Sequence, residues 1–167
     1  MSYEINILVI NQERPVCPPF ESSIQLRNEV EHQGFARYFS HWPFFSCIKG
    51  IRYTLVRAGT SDCLSSFYLC DADFEASCLN ASVLSWVSEE YQQDFLCPLI
   101  IKDEVYRDFV NVLAFLLENS PNGFIMFQTR YQGGDRDVIL GTISLEQFLS
   151  MLNKREIMFN TCYIIAK

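Results

Sequence analysis

The segment Lys102–Lys167, KDEVYRDFVNVLAFLLENSPNGFIMFQTRYQGGDRDVILGTISLEQFLSMLNKREIMFNTCYIIAK, decides the fold, because each of its pieces carries its own start and stop signals. Asp103 and Glu104 put negative charge where unpaired helix N–H groups and the dipole favour it. Val105, Phe109, Val112, Leu113 and Leu116 then recur on one helical face. Asn119-Ser120-Pro121-Asn122-Gly123 ends the helix, since proline cannot continue it and Asn and Gly accept left-handed turns. Phe124–Tyr131 is apolar, aromatic and short, which predicts a strand. Gly133-Gly134-Asp135 is turn chemistry, so Val138–Ile143 is expected to return beside it as a hairpin. Ser144 with Gln147 forms a capping-box pattern before Leu145, Phe148, Leu149 and Leu152, a short amphipathic helix with Lys154 and Arg155 at its negative end. Ile157–Ile165 is apolar on both faces, so it is expected as a strand inside the sheet.

Working outward, Tyr3–Asn11 reads as a strand and Glu13–Pro19, with Pro15, Pro18 and Pro19, as a loop. Ser22 or Ser23 is placed to cap a helix from Ile24 to about Phe39, which Gly34 weakens. Trp42-Pro43-Phe44-Phe45 is an aromatic turn. Ile48–Arg57 reads as a strand, Ala58–Asp62 turns it, and Ser66–Cys70 is expected as its antiparallel neighbour. Phe74–Tyr91 has broadly helical spacing, and Gln92–Pro98 connects it to the C-terminal block. No linker composition or internal repeat divides the chain. The expectation is one α+β domain over residues 1–167, a mainly antiparallel sheet with helices packed on it. A βαβ alternation and a Gly-rich first turn, the marks of a nucleotide fold, are not read.

About half of the residues are hydrophobic, enough for a core without staples. The seven cysteines, Cys17, Cys47, Cys63, Cys70, Cys78, Cys97 and Cys162, form no CxxC pair, and several sit in apolar runs. That favours reduced thiols in a cytoplasmic protein. His32 and His41 are the only histidines and nothing has zinc-ligand spacing, so no cofactor is expected. The N-terminus lacks a basic signal-peptide region, and no apolar run reaches the ~20 residues of a membrane span. A net charge of −7 argues against nucleic acid as a partner.

The charge is unevenly placed. Between Arg57 and Lys102 there is no lysine or arginine, while Asp62, Asp71, Asp73, Glu75, Glu89, Glu90 and Asp94 fall in that interval. A solvated flank explains this simply. The functional reading is a docking face for a basic partner, because complementary potentials speed encounter and select partners. Asp71, Asp73, Glu75, Glu89, Glu90 and Asp94 are the candidate contacts, with Trp42, Phe44 and Trp86 as candidate desolvated anchors. For the aromatics the simpler reading is packing against the sheet.

Asp71-Ala72-Asp73 is also the sharpest chemical candidate. Two carboxylates one residue apart after an apolar strand can face one hard cation. The pattern resembles the first motif of haloacid-dehalogenase-like phosphatases, but Phe74 and Glu75 depart from it and the rest of that active site has no counterpart. An acidic helix start, in which Asp71 or Asp73 caps the helix that follows, is the simpler reading of the pair. His41 with Cys47 lacks the context of a thiol hydrolase. Gln132–Arg136 lies between two strands, so it lacks the helix dipole of a phosphate-binding loop.

Phe95–Ile101, Phe124–Asp135 and Ile157–Ile165 together resemble a family of small Firmicutes-type immunity proteins, encoded beside polymorphic or contact-dependent toxins. The resemblance spans roughly residues 65–167 and rests on texture. It implies a cytoplasmic, non-catalytic protein that binds and blocks a toxin domain, the basic charge of that toxin being the complement of the acidic interval. The alternatives are a small metal-dependent enzyme centred on Asp71 and Asp73, or a housekeeping interaction module or homo-oligomer that uses a sheet edge.

Overall fold

The computed structural model describes residues 3–28, 48–60, 66–72, 98–131, 138–159 and 161–167. Its elements are strands β1 (Tyr3–Ile10), β2 (Ile24–Asn28), β3 (Gly50–Arg57), β4 (Cys70–Ala72), β5 (Leu99–Ile101), β6 (Phe124–Tyr131), β7 (Val138–Ser144) and β8 (Thr161–Ala166), with helices α1 (Asp103–Glu118) and α2 (Leu145–Asn153). Six strands form one mixed sheet in the order β2-β3-β1-β6-β8-β7, and β4 pairs with β5 in a separate ribbon. Every pairing is antiparallel except β7 with β8. The described architecture is α+β, with a mainly antiparallel sheet.

The helices lie where their sequence pattern directs them. Val105, Phe109, Val112, Leu113 and Leu116, the expected stripe, are all buried, as is Leu117. They join one core with Phe148 and Leu152 of α2 and with alternate sheet residues: Ile5, Ile7 and Val9 of β1, Tyr53 and Leu55 of β3, Ile125 and Phe127 of β6, Tyr163 and Ile165 of β8. A chain of edge-to-face rings, Phe109–Phe127–Phe148–Tyr163, ties α1, β6, α2 and β8 together at centroid separations of 6.0, 4.7 and 6.0 Å. The capping box at Ser144 is formed: its hydroxyl accepts from the Gln147 amide, and its own amide donates to the Gln147 side chain.

Five expectations are corrected. Phe124–Tyr131 and Val138–Ile143 are both strands, yet they are not a hairpin, because β8 lies between them and pairs with each. β8 carries Tyr163 and Ile165 into the main core and Cys162 into a second cluster, so it is stable only with sheet on both sides. β6 and β7 are therefore two strand spacings apart, about 10 Å. The Gly133-Gly134-Asp135 turn itself lies outside the described residues.

The strand expected over Ile157–Ile165 begins at Thr161; Met158 instead makes an isolated bridge to Pro98. β7-α2-β8 is a parallel crossover, so one βαβ unit is present where none was read. Ile24–Asn28 is the edge strand β2, not the start of a helix. Neither serine caps it: Ser23 gives both its amide and its hydroxyl to Asp108 on α1, and the Ser22 hydroxyl accepts from the Ile24 amide. Ser66–Tyr68 is a 3-10 turn rather than a strand beside β3, whose partners are β1 and β2. The strand that follows this turn, β4, pairs with β5, which lies between the expected connector Gln92–Pro98 and α1, where no element was expected. The expected turn at Trp42–Phe45 and the expected helix in Phe74–Tyr91 lie outside the described residues.

Candidate functional site

Of the nine candidate partner-binding residues, the described part of the chain contains Asp71; Asp73, Glu75, Glu89, Glu90, Asp94, Trp42, Phe44 and Trp86 lie outside it. Asp71 is the central residue of β4, opposite Ile100 of β5, with 65 % of its side chain exposed. Its neighbours Cys70 and Leu99 are buried, so the ribbon turns one side to the core and Asp71 outward. Lys102 Nζ stands 3.7 Å from Asp71 Oδ1. Arg57 is paired with Glu104 in the first turn of α1. The two bases that bound the acidic interval are thus each engaged with a carboxylate. Such exposed pairs contribute little stability, on the order of 0–1 kcal/mol, but they set the local field.

For the metal reading this matters directly. The Lys102 ammonium offsets the charge with which Asp71 would draw a divalent cation. Among the described residues, no three His, Cys, Asp or Glu side chains converge. Of the described cysteines, Cys70 and Cys162 are buried and Cys17 is exposed. Among those residues no helix is long and apolar enough to cross a membrane.

The sheet face turned away from α1 and α2 holds a feature the sequence reading did not single out. Register places Arg27, Thr54, Asn6, Gln128 and Cys162 side by side across five strands. All five are buried, Arg27 at 8 % exposure and Gln128 at 1 %. Thr54 Oγ1 donates to Asn6 Oδ1 at 2.8 Å, and Asn6 Nδ2 donates to Glu4 at 3.4 Å. Beside this polar row Leu8, Met126 and Cys162 make the small second core. In sequence each of these polar residues alternates with core residues. In isolation that alternation signals a solvent-facing edge, and only the register shows that the polar positions meet in one line away from water.

At the ends of the chain's loops, polar groups serve the fold. Tyr53 donates its hydroxyl to Gln12 and accepts the Val16 amide at 2.9 Å, which ties the proline-rich loop to β3. Ser66 is fully buried and accepts the Ile5 amide at 2.9 Å while donating to the Leu55 carbonyl at 2.6 Å.

No family model, no curated protein and no solved structure matches this chain.

Proposed function

We propose that the chain is an immunity protein, one that binds a basic toxin domain and blocks it without catalysis of its own. The observation that carries this reading is the seven-acid interval without a base between Arg57 and Lys102, in a chain whose remaining charges balance. Asp71, the described member of the interval, faces solvent, as a docking residue must. Clustered carboxylates raise the encounter rate with a basic surface and penalise acidic competitors. The affinity itself comes from a few desolvated anchors, for which Trp42, Phe44 and Trp86 are the first to substitute. The cytoplasm is the compartment in which such a protein intercepts its toxin.

The experiment first looks for a toxin gene beside this one, whose absence would count against the proposal, and pairs the chain with the toxin domain found there. Co-expression should protect cells from that domain. In stopped-flow mixing, Glu89→Lys with Glu90→Lys should slow association while leaving the melting transition unchanged. Rising salt should slow the wild-type rate, since exposed charges are screened beyond ~8 Å at physiological ionic strength. No protection, or an association rate indifferent to both charge reversal and salt, would remove the proposal.

A further inference from the structure

We propose that β7 is a dimerisation edge, on which a second copy of this chain lays its own β7 antiparallel about a two-fold axis. β7 closes one end of the six-stranded sheet, and among the described residues β8 is the one strand paired with it. An edge strand presents an outer row of N–H and C=O groups that fits another strand, and proteins blunt such edges with charge, proline, a bulge or a covering element. The β7 sequence, VILGTIS, holds no charge and no proline. Ile139 is 41 % exposed, and a Cβ added at Gly141 would meet nothing within 4 Å beyond its chain neighbours, so this part of the edge stands open. The opposite edge is blunted: β2 carries Arg27, and Ser23 just before it is tied to Asp108.

Charge and shape select a second copy over a foreign strand. The chain carries a net charge of −7, so two copies repel wherever their acidic surfaces meet. A two-fold axis sets a strand against itself, and any charge beside the axis would face its own kind; β7 has none. Register pairs Ile139 with Cys162 and Thr142 with Ile164, so β7 spends one residue more than β8 and bulges at Leu140-Gly141, where Gly141 has φ +101°. The bulge bends the edge away from a regular strand. A second copy carries the same bend, and an axis at the bulge sets bend against bend. Ile139 and Thr142, both exposed, lie on one sheet face with Cys162 and Ile164. Across the axis, Ile139 of each copy therefore meets Thr142 of the other, a β-branched cross-strand pair. The assignment does not rest on the toxin-binding reading, which concerns the acidic interval.

The test is sedimentation of the full chain over a concentration series, with amide hydrogen exchange read along β7. A reversible dimer should form with a Kd of ~1–100 µM, since edge pairing buries less than a standard interface. Exchange at residues 139–143 should slow as the dimer fills. Ile139→Lys and Thr142→Lys each put a charge at the axis and should weaken association at least ~10-fold. Both side chains are exposed, so the melting transition of the dilute monomer should stay at the wild-type temperature, and either variant that folds decides the matter. A chain that remains monomeric up to ~1 mM overturns the inference. A dimer that persists unchanged in a folded variant uses another surface and overturns it too. Protection of β7 that arises only when a toxin domain is added assigns the edge to that partner, and equally overturns the pairing of two copies.

Discussion

Single residues carry several of the junctions in this fold. Ser66 joins β1 to β3 through one hydroxyl, accepting from Ile5 and donating to Leu55. Ser66→Ala would leave a buried amide and a buried carbonyl without that partner. The expected loss is ~1–3 kcal/mol, read from urea denaturation, and Ser66→Thr should not rescue it unless the extra methyl fits. Gly50 is a second such point. Its φ is +153°, and an added Cβ would stand 2.3 Å from the Val9 carbonyl oxygen, where backbone cannot yield. Gly50→Ala should therefore cost ~1–3 kcal/mol or more, and a thermal midpoint equal to wild type would contradict the geometry. Burial pushes the Tyr163 hydroxyl up to about 12, so this phenol should stay protonated when exposed tyrosines ionise in an ultraviolet titration. Neither Ser66 nor Gly50 was recognisable from its neighbours in sequence. Their roles depend on what the β1–β3 register brings against them.

At the scale of elements, local chemistry and tertiary contacts divide the labour. The capping box of α2 was legible because it is contained in four consecutive residues, Ser144 to Gln147. Ser144→Ala should destabilise by ~1 kcal/mol, measured by the same denaturation. β2 was illegible for the opposite reason. Its serines look like helix caps, but Asp108, which receives both Ser23 donors, lies on a different element. Those bonds hold the Asp108 carboxyl below its usual range, the side-chain bond from Ser23 being the larger cause. A carboxyl depressed in the folded state adds stability above its unfolded pKa, and that contribution is lost as pH falls through the folded value. The melting-temperature advantage of wild type over Asp108→Asn should thus be present at neutral pH and vanish in strong acid. An advantage that grows on acidification would refute the linkage.

For the whole molecule, β8 is the strand on which the C-terminal half depends, with β6 on one side and β7 on the other. A chain ending before Ile157 loses the partner of both and should give no cooperative melt; a soluble, cooperatively unfolding product would contradict this. That β8 is interior followed from its sequence, since Tyr163 and Ile165 alternate with Cys162 and Ile164 and leave neither face polar. Helical periodicity likewise settled α1 and α2, and the succession of strand and helix patterns along the chain pointed to the α+β class, because each pattern is a property of residues close together in the chain. Strand order was decided elsewhere. Gly133-Gly134-Asp135 is sound turn chemistry for a hairpin, yet a hairpin would have left β8 with one free edge and part of its apolar surface uncovered. Pairing partners are chosen by burial summed over the whole sheet, and a local turn preference is too small to oppose it. The acidic interval and the buried polar row divide along the same line. The acidic interval is a count along the chain, so the sequence determined it. The polar row from Arg27 to Gln128 draws one residue from each of four distant strands, and only the tertiary structure could bring those residues into line and remove them from water.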